Sequence, residues 1–104
     1  MKSSIRQKLE LLVDRLDEID RMLASPDAAN NMEQFRKLSR ERAEVEPVAI
    51  QFNAFRQAEN DLAEAESMLA DPDMREFAEE EMAAAKARLP ELEIELQKLL
   101  LPKD

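Results

Sequence analysis

The opening stretch places apolar residues at Ile5, Leu9, Leu12, Leu16, Ile19 and Leu23, separated by four, three, four, three and four positions. That spacing lines one face of an α-helix as the a/d seam of a heptad pattern. Ser3 or Ser4 can cap its start, because a hydroxyl accepts from an N–H that the first turn leaves orphaned. Ser25-Pro26 disfavours helical geometry before the ring, so the helix is predicted over about 4–24.

A second helix is predicted over about 31–70, with Asn30 or Asn31 as its cap. Two seven-residue series run through it, Leu38–Val45–Phe52 and Val48–Phe55–Leu62–Leu69, with Phe35 joining at the N-terminal end. Together they make a seam that wraps slowly around one helix. Pro47 sits in the middle of this helix. It has no N–H for the residue 43 carbonyl, and its ring crowds that turn. No loop residues flank it, so the expectation is one long helix kinked near 43–47 rather than two helices.

The third helix is predicted over about 72–101, with Asp71 as N-cap and Pro72 as first helical residue. Ala78, Met82, Ala85, Leu89, Leu92, Leu96 and Leu99 continue the alternating four–three spacing. Pro90 should bend this helix, and Leu101-Pro102 should end it.

Three helices with short connections run up, down, up. The fold expected over 1–104 is therefore all-α: a single domain, an elongated antiparallel three-helix bundle of coiled-coil character with a long middle helix kinked near Pro47. One local echo stands out. Met22-Leu23-Ala24-Ser25-Pro26-Asp27 matches Met68-Leu69-Ala70-Asp71-Pro72-Asp73. Either one turn chemistry is used twice or a unit is duplicated, and the poorly matched flanks favour the first.

Composition strengthens this picture. Charged residues are 38% of the chain and aromatics 4%, and Gly is absent. Hairpins, bulges and phosphate loops need backbone at positive φ, so a chain without Gly is poorly suited to β or α/β folds. The net charge of −9 repels phosphate backbones and disfavours non-specific nucleic-acid binding. The charged opening segment does not read as a signal peptide, and no apolar run approaches the length of a membrane span. A soluble, cytoplasmic chain is expected.

His, Cys, Tyr, Trp, Thr and Gly do not occur. Zinc sites, nucleophile–base pairs, di-iron bundles and nucleotide-binding glycine loops all require one or more of these. The carboxylates lie on polar helix faces where solvent keeps them ordinary. No enzymatic role, catalytic residue, metal or cofactor is expected.

The candidate partner contact is Arg36, Lys37, Arg40 and Arg42, the densest basic patch in an acidic chain. Arg36 and Arg40 are one turn apart. These cations either meet ribosomal RNA phosphate or an acidic partner, or pair along the helix with Glu33, Glu41 and Glu44. Glu79-Glu80-Glu81 reads as a solvated first turn favoured by the helix dipole. Met22, Met68, Met74 and Met82 fill a core or mark an adaptable binding face.

Several segments together carry a family resemblance. They are Met1-Lys2-Ser3-Ser4-Ile5 with Lys8-Leu9-Glu10, Phe35-Arg36-Lys37-Leu38-Ser39-Arg40-Glu41, Met68-Leu69 with Asp71-Pro72-Asp73-Met74-Arg75-Glu76, and Leu99-Leu100-Leu101-Pro102-Lys103-Asp104. In these the chain resembles the N-terminal helical domain of bacterial class-I peptide chain release factors, the release factor 1 type that reads UAA and UAG. The resemblance runs over essentially the whole chain, and no single motif is diagnostic alone. It implies a role in translation termination. It also implies docking at the stalk-base region of the large ribosomal subunit, and a link to the recycling GTPase release factor. The family's Pro-x-Thr-type codon loop and Gly-Gly-Gln hydrolysis loop cannot exist in a chain without Thr or Gly. The ending at Pro102-Lys103-Asp104 matches a family domain boundary and reads as a fragment. A free-standing helical adaptor or dimerising coiled coil remains the alternative, and weak self-association of the isolated domain is compatible with either.

Overall fold

The computed structural model describes residues 1–102; Lys103 and Asp104, the end of the terminal run quoted above, lie outside the described residues. The described residues form three α-helices and no strand: α1 (Ser3–Ala24), α2 (Met32–Met68) and α3 (Arg75–Leu99), with a 3-10 turn at Ala28–Asn30. The all-α class expected from the heptad pattern is the one the chain adopts. Two compact units divide within α2, Met1–Ile50 and Gln51–Asp104.

In the first unit α1 lies antiparallel to the first half of α2. Arg15 faces Glu41, while Met22 and Leu23 share a cleft with Asn31, Gln34 and Phe35. Leu9 and Ile19 are fully buried, and Leu12, Leu16 and Leu23 are half-buried. Leu38, Val45, Val48 and Ala49 form the buried face of α2 here. Ile5, expected in the seam, is exposed; the buried part of the seam begins at Leu9, one helical turn further in.

In the second unit the Gln51 side-chain amide donates to the Leu92 carbonyl at 3.2 Å, and Arg88 approaches Asp61 at 3.8 Å. As one number rises the other falls, so α3 runs antiparallel to the second half of α2. Phe52, Phe55, Ala58, Ala65, Ala78, Ala85 and Leu96 are buried. Counting heptads from the Gln51–Leu92 bond places Ala58 opposite Ala85 and Ala65 opposite Ala78. Methyl-sized side chains on both sides let two helices approach at the short end of the ~8–10 Å interaxial range. Leu99, expected in the seam, is exposed beyond its last buried member, Leu96.

The helix starts differ from expectation in two places. α1 begins at Ser3 itself, with Lys2 at the cap position and no side-chain cap, so neither Ser3 nor Ser4 plays that part. α3 begins at Arg75 rather than at Pro72. Asp71 is engaged elsewhere: its carboxylate accepts from the Asp73 N–H at 3.0 Å and its carbonyl from the Met74 N–H at 3.0 Å. That is a proline turn closed by its first side chain. The Asp71 acceptor is spent on the turn, and the helix starts after it. Ser25 does the same, accepting from the Asp27 N–H at 3.3 Å and, through its carbonyl, from the Ala28 N–H at 3.0 Å. The two echoed segments therefore share one turn chemistry. Asn31 does cap α2, its side-chain oxygen accepting from the Gln34 N–H at 3.1 Å.

Both interior prolines lie within unbroken helices. Each removes the donor for a carbonyl four residues back, at Ala43 and Lys86. Pro47, Ala43, Pro90 and Lys86 are all exposed, so water can satisfy what the ladder leaves open. Among the described residues no helix is long and apolar enough to cross a membrane.

Candidate functional site

The four candidate cations all lie on the first half of α2, and the structure separates them. Arg42 is half-buried and held from two sides, by Asp20 at 2.6 Å and by Glu46 at 2.7 Å. Those carboxylates hold its guanidinium above its ordinary range, the Asp20 hydrogen bond contributing most. Arg42 thus ties α2 to α1. Arg36, Lys37 and Arg40 are exposed, and among the described residues none of them makes an ion pair. No ion pair joins them to Glu33 or Glu44, although Glu33 is one turn from Lys37 and Glu44 one turn from Arg40; Lys37 acts on Glu41 only as a nearby charge.

Glu41 is taken by a residue the sequence did not single out. Arg15 grips it with both arms, Nε to Oε2 at 2.6 Å and Nη2 to Oε1 at 2.8 Å, and also contacts Glu18. Planar fork-on-fork geometry of this kind is the strong form of the ion pair. The Arg15 hydrogen bond lowers the Glu41 carboxyl below its ordinary value of 4.5, against desolvation that pushes it up, and Lys37 adds a smaller favourable charge. The same contact raises Arg15. Only the i,i+3 spacing to Glu18 was visible in sequence; the partner 26 residues away was not.

This contact sets a pH dependence. Glu41 binds its proton less readily folded than unfolded, so its contribution to stability is complete above the ordinary glutamate range. It is lost as pH falls through the depressed folded value. Wild type should therefore lose more stability than Glu41→Gln on acidification from pH 6 to below 4.5. Urea melts across that range measure the difference, which is small because the pair is over a third exposed on both sides. Parallel pH profiles for the two proteins would remove Glu41 from the account.

Surface clefts include the following two. One, of about 190 Å³ at the α1–α2 turn, is lined by Met22, Leu23, Phe35 and Leu38 with Asn31 and Gln34 at its polar side. The other, in the second unit, is lined by Leu69, Met82 and Ala83 with Arg75, Glu79 and Lys86. Met22 and Met82 are thus half-buried cleft residues, outside the fully buried core. Glu79, Glu80 and Glu81 are exposed in the first turns of α3, Glu79 lying 3.6 Å from Arg75. Among the described residues no three acidic side chains converge as metal ligands. The side chains gathered here can bind by charge and apolar contact.

A family model described as the PCRF domain matches residues 12–104. The match takes in the second half of α1 and all of α2 and α3.

Proposed function

The chain belongs to the PCRF domain family, the helical domain of peptide chain release factors, and on that premise we propose that it docks a release factor of the UAA/UAG-reading type onto the terminating ribosome. Membership places the chain in translation termination, and the family's domain is helical with no catalytic site of its own. The match over residues 12–104 is the observation that carries the reading. The finer assignment, release factor 1, rests on the residues that resemble that type, above all Asp71-Pro72-Asp73-Met74-Arg75-Glu76 and Leu99-Leu100-Leu101-Pro102.

In this proposal residues 1–104 act as one docking domain in the cytoplasm. The partners are the stalk-base region of the large subunit and the recycling GTPase release factor. The contact draws on Arg36, Lys37 and Arg40, which are exposed and make no ion pair among the described residues. An acidic domain with a local basic stripe suits docking by charge complementarity, which sets encounter rate and orientation more than affinity.

A domain exchange tests it. The chain replaces the PCRF domain in a UAA/UAG-reading factor and in a UGA-reading factor, and peptide release is measured at all three stop codons. The expected result is near-native release in the first background. Deletion of the domain should cost about tenfold or more in kcat/KM, roughly 1.4 kcal/mol of transition-state binding. Release that is indifferent to deletion would remove the docking role. Equal performance in the UGA-reading background would remove the release factor 1 assignment.

A further inference from the structure

The buried face of α2 in the first unit is formed by Leu38, Val45, Val48 and Ala49. The opposite face also has a pattern. Met32, Arg36, Arg40, Ala43, Pro47 and Ile50 are separated by four, four, three, four and three positions. At 3.6 residues per turn this is one continuous stripe, ~27 Å long, on the side turned away from the core. Every member is exposed, Met32 by 53% and Ile50 by 60%.

A solvated helix face has no need of heptad spacing or of large apolar residues at both ends. Here Met32 stands at one end and Ala43, Pro47 and Ile50 at the other, with the two arginines between them. Arg36 and Arg40 are one turn apart and make no ion pair among the described residues. Nearby, Arg15 and Arg42 are consumed by Glu41, Asp20 and Glu46. The unit thus neutralises the cations that tie α1 to α2, whereas Arg36 and Arg40, like exposed Lys8, Arg21 and Lys37, have no ion-pair partner among the described residues, and of these only Arg36 and Arg40 lie on the stripe.

We propose that this stripe is the seat of an acidic amphipathic helix of a partner protein. That helix carries two carboxylates one turn apart opposite Arg36 and Arg40, with apolar side chains over Ala43, Pro47 and Ile50. The proposal rests on the docking reading above and names the chemistry of the docked element. Charge complementarity selects an acidic partner, since the only uncompensated charges on the stripe are positive. The apolar ends select protein over RNA: a phosphate backbone offers nothing to Met32 or Ile50, and a chain of net charge −9 repels it. Arginines set among buried apolar anchors are the usual composition of strong protein contacts.

The test uses the full chain and purified ribosomes. Arg36→Glu/Arg40→Glu is compared with Arg75→Glu/Lys86→Glu, which carries the same charge change in the other unit. A photo-crosslinking residue is placed at Ala43. Arg36 and Arg40 are exposed and make no ion pair among the described residues, and Arg75 has only an exposed contact with Glu79, so both double variants should keep wild-type helicity by circular dichroism. Co-sedimentation should show the first variant about tenfold or more weaker and the control near wild type. The Ala43 crosslink should fall in a protein helix bearing an acidic pair at i,i+4 or i,i+3. Reversing that pair to lysine should restore the weakened variant.

A crosslink into RNA, or undiminished binding by Arg36→Glu/Arg40→Glu, overturns this inference and leaves the docking reading standing. A wild-type chain that fails to sediment with ribosomes at any salt concentration overturns the docking reading, and this inference with it.

Discussion

Replacing Phe52 with alanine is expected to remove about 3–5 kcal/mol of stability, the usual loss for a fully buried aromatic ring. Phe52 has no exposed surface and is the largest fully buried side chain in the chain. Arg56 lies over its ring, 4.6 Å from the centroid, so the variant also loses that cation–π contact. Two terms add. The transferred ring atoms return to water, and helices held at fixed spacing cannot collapse into the space left behind. A small helical unit has only about 5–15 kcal/mol in total, so the variant sits near the edge of folding. The melting temperature should fall on the order of 10–30 °C, followed by circular dichroism. Phe52→Leu keeps most of the volume and should lose clearly less. Equal losses for the two variants would mean that cavity formation is not the cause.

Enlarging a small residue should also destabilise. Ala58→Leu is expected to cost about 1–3 kcal/mol, because Ala58 is fully buried and faces Ala85 across the antiparallel pair. Three further carbons cannot fit between helices whose approach depends on methyl groups on both sides. Either the helices separate and weaken the seam around Ala65 and Ala78, or the leucine takes a strained rotamer. Ala63→Leu, an exposed position on the same helix, is the control. Leucine and alanine have similar helix propensities, so that change should be nearly neutral. Urea denaturation compares the two. An Ala58→Leu protein as stable as wild type would show that the helices are not in close contact at this point.

The alanine seam also shows where sequence reading stops short. Ala78 and Ala85 were expected on the buried face of the third helix because they continue the spacing of Met82, Leu89 and Leu96. Ala49, Ala58 and Ala65 were not, because alanine is common on exposed helix faces and two leucine-, valine- and phenylalanine-bearing series already accounted for the periodicity. The pairs become recognisable only when the register of α2 against α3 is known, and the Gln51–Leu92 bond supplies it. The candidate patch behaves likewise. Its four residues could be named from local charge density, but their separate fates could not. Arg42 is claimed by Asp20, on another helix. Glu41, one of the three carboxylates considered as partners of the patch, is claimed by Arg15.

By itself the sequence determined the helical class, the three helices and most of each buried face. These follow from local rules: heptad spacing, the lack of Gly, and proline turns acting over a few residues. It also determined that His, Cys, Thr and Gly are missing, and with them zinc sites, His- or Cys-based nucleophile–base pairs and phosphate-binding glycine loops. The tertiary structure alone decided which charges are neutralised and which remain outward, and where each seam ends. The physical reason is range. Helix periodicity is fixed by neighbours three and four positions apart, whereas an ion pair or an alanine contact between helices depends on a register set by residues more than 20 positions away.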